Sequence, residues 1–125
     1  EDIEAEIWRK YIFNCAYNVL TAHYRENVGE LRADAKKREE FRRLLQEAYE
    51  VGKAKGVHLE EEDIVRHQNR FENKLVDDAT SSLQRDVEAG KHNTELETFC
   101  GYIVRVGREL GVDVSLTEKF YRMDS

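Results

Sequence analysis

From Trp8 to Ala22 the chain is apolar on nearly every side of a helix. Trp8, Tyr11, Ile12, Phe13, Cys15, Ala16, Tyr17, Val19, Leu20 and Ala22 leave little room for a solvated face. A helix of this kind normally runs through the middle of a domain. Three polar residues interrupt it at strict four-residue spacing: Lys10, Asn14 and Asn18. That spacing stacks them along one slowly drifting stripe. A buried ammonium is costly unless it is paired or opens to a wet cleft. The helix therefore either lines a site or hides an internal polar network.

The remaining pattern predicts further helices. The first runs from about Ile3 to Tyr24, with Ile3 and Ile7 continuing the apolar pattern. Asn27 to Gly29 reads as a break, with Gly free to take positive φ, and Glu30-Leu31 as a short turn. Asp34 is the expected N-cap of a helix reaching about Lys55. Its apolar positions Phe41, Leu44, Leu45, Ala48 and Val51 keep the helical period, and Gly56 sits at its C-terminal stop. Another helix spans about Glu61 to Leu75, with Ile64, Val65, Phe71 and Leu75 inward. Asp77 to Ser82 is a loop or a helix start. A short helix then runs through about Ala89, ended by Gly90, and Lys91-His92-Asn93 connects onward. Thr94 and Glu97 form a capping-box pattern ahead of the stripe Leu96, Phe99, Cys100, Ile103, Val104, Gly107, Leu110, closed by Gly111. Ser115 and Glu118 repeat the box and open a last helix through Phe120 and Tyr121. Val57 to Leu59 and Val112 to Val114 read as connections. The expected fold is all-α: five to seven helices packed as one compact domain, residues 1–125, around a buried N-terminal helix.

Composition narrows the function classes. The 125 residues suffice for one domain with a real core. Apolar residues make up 40% and charged residues 37%, which indicates a soluble globular chain, and no apolar run is long enough to span a membrane. The net charge of −6, with acids and bases interleaved, argues against a nucleic-acid partner, which wants a concentrated basic face. Lys36-Lys37-Arg38 is followed at once by Glu39-Glu40 and reads as a solvated helix face. Cys15 and Cys100 lie in apolar helical patterns and are expected to be buried thiols. With no signal peptide visible, a cytoplasmic location is expected. The start at Glu1, without an initiator Met and already in helical sequence, suggests a domain of a longer protein.

Standard catalytic and nucleotide motifs are absent, and the four histidines do not pair at metal-ligand spacing. Ser81-Ser82 ahead of a short helix reads first as a cap. Three features could carry chemistry. They are the Lys10, Asn14, Asn18 stripe, Glu95 at the first turn of an amphipathic helix, and the polar segment Ser81 to Asp86. If Lys10 and Glu95 meet at a cleft, the pair could hold a lysine ready to donate a proton. Nearby Asn and Ser would orient a small polar substrate. The bland alternative is a structural or dimerisation module with an internal polar network; an unrelated helical regulatory domain is a third reading.

The same residues carry a family resemblance. Ile7 to Ala22, with its phrase W-x-K-x3-N-x3-N-x-LTA, resembles the opening helix of the C-terminal domain of ketopantoate reductase (2-dehydropantoate 2-reductase). The similarity continues through Val28 to Leu31, Ser81 to Gly90, Thr94 to Glu97 and Gly101 to Val112, in order; Ala33 to Ala79 matches only in general character. The resemblance implies an NADPH-dependent reductase. A separate N-terminal Rossmann domain, absent from this chain, would bind most of the cofactor, and the helical domain would close over it. Hydride would pass to the 2-keto carbon of ketopantoate, giving pantoate for coenzyme A synthesis. The family's catalytic lysine falls on Lys10, which would protonate the developing alkoxide. Its substrate-binding asparagines fall on Asn14 and Asn18, and its carboxylate-binding serine on Ser82. Its glutamate, which contacts the lysine and the cofactor ribose, falls on Glu95. The connection from Ser82 to Glu95 is one residue longer than is usual, which leaves Glu97 as a weaker substitute, and Cys100 stands where many members have Asn. Without the glycine-rich phosphate loop the chain by itself should neither bind NADPH productively nor turn over. The partners implied are a small 2-keto acid (ketopantoate or another branched one), the chain's own Rossmann domain and, in related reductases, a second subunit.

Overall fold

The computed structural model describes residues 2–90 and 96–124. Its order is α1 (Ile3–Tyr24), α2 (Val28–Arg32), α3 (Ala35–Ala54), α4 (Glu61–Asn73), α5 (Ser82–Glu88), a π-helical turn (Glu97–Gly101), α6 (Tyr102–Leu110) and α7 (Ser115–Asp124). The described residues form no strand, and the domain is all-α. Asp2 starts α1 by accepting the Ala5 N–H at 3.1 Å. Arg25, in the left-handed region at φ 54°, ends it.

Helix α1 is the hub, with α3, α5, the π-helical turn and α7 packed against it. Ala5, Trp8, Ile12, Phe13, Cys15, Ala16, Val19 and Leu20 are buried there. One face of this buried helix is open, as a helix that lines a site requires. Ile3 and Ile7 are 71% and 61% exposed, and Lys10 and Asn14 are exposed with them. Phe41, Leu44, Leu45, Ala48 and Val51 of α3 turn inward as their spacing requires. Phe41 stacks on Phe71 of α4 at 4.0 Å and meets Phe13 edge-on at 5.9 Å. Val65, expected inside, is 59% exposed; α4 is held instead by Ile64, Phe71 and a buried carboxylate. That carboxylate, Asp63, takes Arg9 Nε of α1 at 3.1 Å, pairs with Arg66, and accepts the Glu60 N–H at 3.0 Å. His67 also ties α4 to α1, its Nε2–H donating to the Arg9 carbonyl at 2.9 Å. Burial keeps this imidazole below its ordinary pKa.

Several local signals act as read. Asp34 accepts the N–H groups of Lys36 and Lys37. Gly56 (φ 94°) and Gly111 (φ 73°) take the left-handed conformation that closes a helix. The following N–H groups of Val57 and Val112 then return to Gly52 and Gly107 carbonyls. Cys15 and Cys100 are buried thiols, and burial pushes the Cys15 thiol well up.

Two local readings are corrected. Gly29 is not a break. Asn27 and Glu30 form the capping box of α2, and Gly29 lies inside that helix. Its missing side chain lets the chain at Asp77 approach closely: Gly29 N–H donates to the Asp77 carbonyl at 2.7 Å, and a Cβ would stand 2.9 Å from Asp77 Cβ. The Ser115–Glu118 capping box does not form either. Glu118 instead pairs with Arg108 and Arg122, which hold its carboxyl below the usual range. The start of α7 is satisfied from elsewhere. Asp113 accepts the Ser115 N–H, and the buried Glu47 of α3 accepts the Leu116 and Thr117 N–H groups at 3.0 and 2.7 Å.

Candidate functional site

The open face of α1 is a strip. Ile3, Ile7, Lys10, Asn14, Asn18 and Thr21 follow one another at three- or four-residue steps and so share one side of the helix. Its first four residues are exposed; Asn18 and Thr21 are buried. The stretch Lys10 to Asn18 covers about 12 Å at the helical rise. Asn18 folds back, its Nδ2 donating to the Asn14 carbonyl at 2.8 Å.

What covers the far end of the strip is the entry to α5. Ser81 Oγ lies 2.6 Å from Thr21 Oγ1 and accepts the Gln84 N–H at 3.1 Å. Ser81 is therefore the N-cap of α5 and is buried in that role. Ser82, one residue on, opens the helix and is exposed. Geometry thus separates the two serines: Ser81 is the buried cap, and Ser82 is exposed on the first turn of α5.

Two tyrosines flank this strip, and sequence reasoning counted both as simple apolar residues. Tyr17 is half-buried, and its hydroxyl donates to the Thr80 carbonyl at 2.9 Å. Arg85 of α5 reaches Thr80 Oγ1 at 2.8 Å. Burial raises the Tyr17 phenol, an effect that the nearby Arg85 and Arg70 charges oppose. Tyr11 donates to the Thr98 carbonyl at 2.7 Å, and burial beside Cys15 pushes its phenol far up. The available signal was register: Tyr17 stands seven residues after Lys10, and Thr21 seven after Asn14, which puts both on the polar stripe.

Glu95 and Thr94 lie outside the described residues. Glu97, the substitute, is engaged elsewhere: it accepts the Tyr121 hydroxyl at 2.6 Å and pairs with Arg105. It can lie over its own helix because Gly101 has no side chain; a Cβ there would overlap its carboxylate. The chain between them takes a π-helical turn, with the Tyr102 N–H reaching the Glu97 carbonyl. Beside this turn lies an open pocket of about 450 Å³ walled by Ile7, Trp8, Tyr11, Thr98, Tyr102 and Arg105. Among the described residues no His, Cys, Asp or Glu cluster suits a metal ion, and no helix is long and apolar enough to cross a membrane.

Residues 2–123 match the family described as ketopantoate reductase PanE/ApbA C terminal. The chain belongs to this family. It is 30% identical over 122 residues to the 2-dehydropantoate 2-reductase of Salmonella typhi, covering 98% of this chain and 39% of that protein. The chain thus spans about two fifths of the length of the curated relatives it matches. A PanE/ApbA family ketopantoate reductase from Ralstonia eutropha JMP134 superposes with a TM-score of 0.86 at 28% identity, covering 98% of this chain and 40% of that one. A dimeric ketopantoate reductase from Staphylococcus aureus gives 0.89 at 24% identity, over 98% of this chain and 42% of that one. At that identity it testifies to the shared fold. The ketopantoate reductase C-terminal fold thus supplies the frame for the strip on α1 and for the exposed serine at the start of α5.

Proposed function

We propose that this chain is the substrate-binding and proton-donating domain of an NADPH-dependent 2-dehydropantoate 2-reductase. In this reading the chain forms part of a longer cytoplasmic protein whose N-terminal Rossmann domain faces the open strip of α1. The observation that carries the reading is the exposure of Lys10 and Asn14 on a helix otherwise buried, beside the helix that presents Ser82. A purely structural role for the stripe would enclose the lysine amine, and Lys10 is exposed. The exposed Ile3 and Ile7 extend the same face with apolar surface suited to a covering domain.

The chain carries no glycine-rich phosphate loop, so the bulk of a dinucleotide must be held elsewhere. Its donors fit the reacting end: an ammonium, an exposed asparagine and an exposed serine, with Glu95 assigned to the lysine and the ribose. When bound, NADPH would supply the hydride for the 2-keto carbon. The carbonyl π electrons move to oxygen, and the Lys10 ammonium stabilises that charge and then gives it a proton. The product is the 2-hydroxy acid, and solvent returns the proton to Lys10. Ser82 holds the substrate carboxylate, and Asn14 and Asn18 orient the keto acid. A homodimer is part of the proposal, supported by the dimeric Staphylococcus aureus relative.

The test is kinetic. In the longer protein, Ser82→Ala and Asn14→Ala should each raise KM for the keto acid by roughly ten-fold or more, the loss of a hydrogen bond to a charged or polar substrate group, with a smaller change in kcat. Unchanged KM in both variants would remove these residues from the site.

A further inference from the structure

The short helix α5 has seven residues, too few to persist without support. It carries Ser82, whereas Lys10 stands on α1; one small substrate can touch both only if the two helices keep a fixed relation. Leu83 seats α5 in the core, and hydroxyls of α1 add directed bonds that set its entry. Tyr17 donates to the Thr80 carbonyl at 2.9 Å, one residue before the N-cap of α5. The Thr21 and Ser81 hydroxyls meet at 2.6 Å in the next position. Ser82 follows the first anchor, Thr80, by two residues in the chain. Tyr11 in turn donates to the Thr98 carbonyl at 2.7 Å.

We infer that Tyr11 and Tyr17 are positioning residues for the reduction, two hydroxyl clamps that hold Thr80, at the entry to α5, and Thr98, in the π-helical turn, against the lysine-bearing helix. This rests on the functional reading above. Neither tyrosine need touch substrate. Each bonds backbone, so the clamp fixes where that backbone lies and is indifferent to the side chains at Thr80 and Thr98. The rings are supported independently of the hydroxyls. Tyr17 stacks on Phe13 at 5.6 Å, and Tyr11 meets Trp8 at 5.2 Å and Tyr102 at 6.0 Å. Replacement by Phe therefore removes the clamp and leaves the packing.

The experiment compares Tyr17→Phe and Tyr11→Phe with the wild type in the longer protein, by steady-state kinetics and by amide hydrogen exchange. Tyr17→Phe is expected to raise KM for the keto acid about five- to ten-fold, with kcat within about two-fold, because it loosens the Ser82 end. Tyr11→Phe is expected to act mainly on kcat, because Thr98 follows by three residues in the chain the Glu95 to which the functional reading assigns the lysine. Amides of α5 should exchange about five-fold faster in Tyr17→Phe, while those of α3 stay unchanged. A thermal midpoint that falls with kcat and KM unmoved would make the hydroxyls merely structural and overturn the inference. So would exchange in α5 at the wild-type rate. Wild-type protein that reduces no 2-keto acid would instead overturn the functional reading, and the clamps' role with it; wild-type turnover with unmoved variants overturns the clamps alone.

Discussion

Lys10→Ala in the longer protein should lower kcat by roughly 10²- to 10⁴-fold, the range for losing a positioned proton donor. The proposed reduction would build negative charge on one oxygen as hydride arrives, and an ammonium fixed beforehand at that point would cost no reorganisation when the charge appears. The fold should tolerate the change. Lys10 is exposed on α1, and the helix is held by Trp8, Ile12, Phe13, Ala16 and Leu20 on its other sides. Thermal unfolding and far-UV circular dichroism of the variant should therefore match the wild type. A small alkylamine added to Lys10→Ala should restore part of kcat, because it supplies the missing ammonium to an open face. Retention of kcat within about three-fold would contradict the role assigned to Lys10.

Glu47→Ala should be the most damaging substitution for stability, at about 2–4 kcal/mol. Glu47 is only 7% exposed and serves three donors at once. It accepts the Leu116 N–H at 3.0 Å, the Thr117 N–H at 2.7 Å and the Thr117 hydroxyl at 2.6 Å. Those N–H groups are among the first of α7 and have no partner within their own helix. A carboxylate there is also matched to the positive end of the helix dipole. Truncation strands buried donors and uncouples α7 from α3, and Phe120 of α7 is itself a core residue. The thermal midpoint should fall by roughly 10 °C, given about 3–5 °C per kcal/mol for a domain of this size. Glu47→Gln should lose about half as much, since its amide keeps one accepting oxygen. A midpoint within about 2 °C of wild type for Glu47→Ala would show that water replaces the carboxylate freely.

The contrast between Glu47 and Asp34 explains what the sequence could reveal. Asp34 caps the helix it precedes, so a pattern of a few neighbouring residues contains both donor and acceptor. The same holds for Gly56 and Gly111 at helix ends, and for the apolar period of α3. Glu47 caps a helix about 70 residues away, with |i−j| of 69 and 70, and no local pattern encodes that. Ser115 and Glu118 had the right spacing for a box, but Arg108 and Arg122 offer Glu118 charge, which an N-cap N–H does not match. Gly29 was misread for a related reason. Its purpose is the close approach of Asp77, a contact between distant segments, and not a positive φ.

The candidate site was legible to a similar depth. The four-residue spacing of Lys10, Asn14 and Asn18 put them on one face of one helix, and the motif order along the chain gave the family. Periodicity alone left open whether that face was buried. Exposure is a property of the packed domain, and only the packing separates open Lys10 and Asn14 from covered Asn18. Likewise the pair Ser81-Ser82 read as a cap without saying which serine caps, and the packing shows that it is Ser81, held by Thr21 and the Gln84 N–H. Tyr11 and Tyr17 were hidden by their own chemistry: a tyrosine on an apolar helix looks like core until its hydroxyl finds a carbonyl.

The most direct test of the account is ketopantoate-dependent oxidation of NADPH by the longer protein, with the product identified as pantoate. Saturable turnover that requires the keto acid and yields the 2-hydroxy acid is the predicted result. Turnover with a different branched 2-keto acid would keep the reductase and change its substrate. Absence of turnover with ketopantoate and with every other branched 2-keto acid, using NADPH or NADH, would contradict the assignment and return the strip on α1 to a structural role.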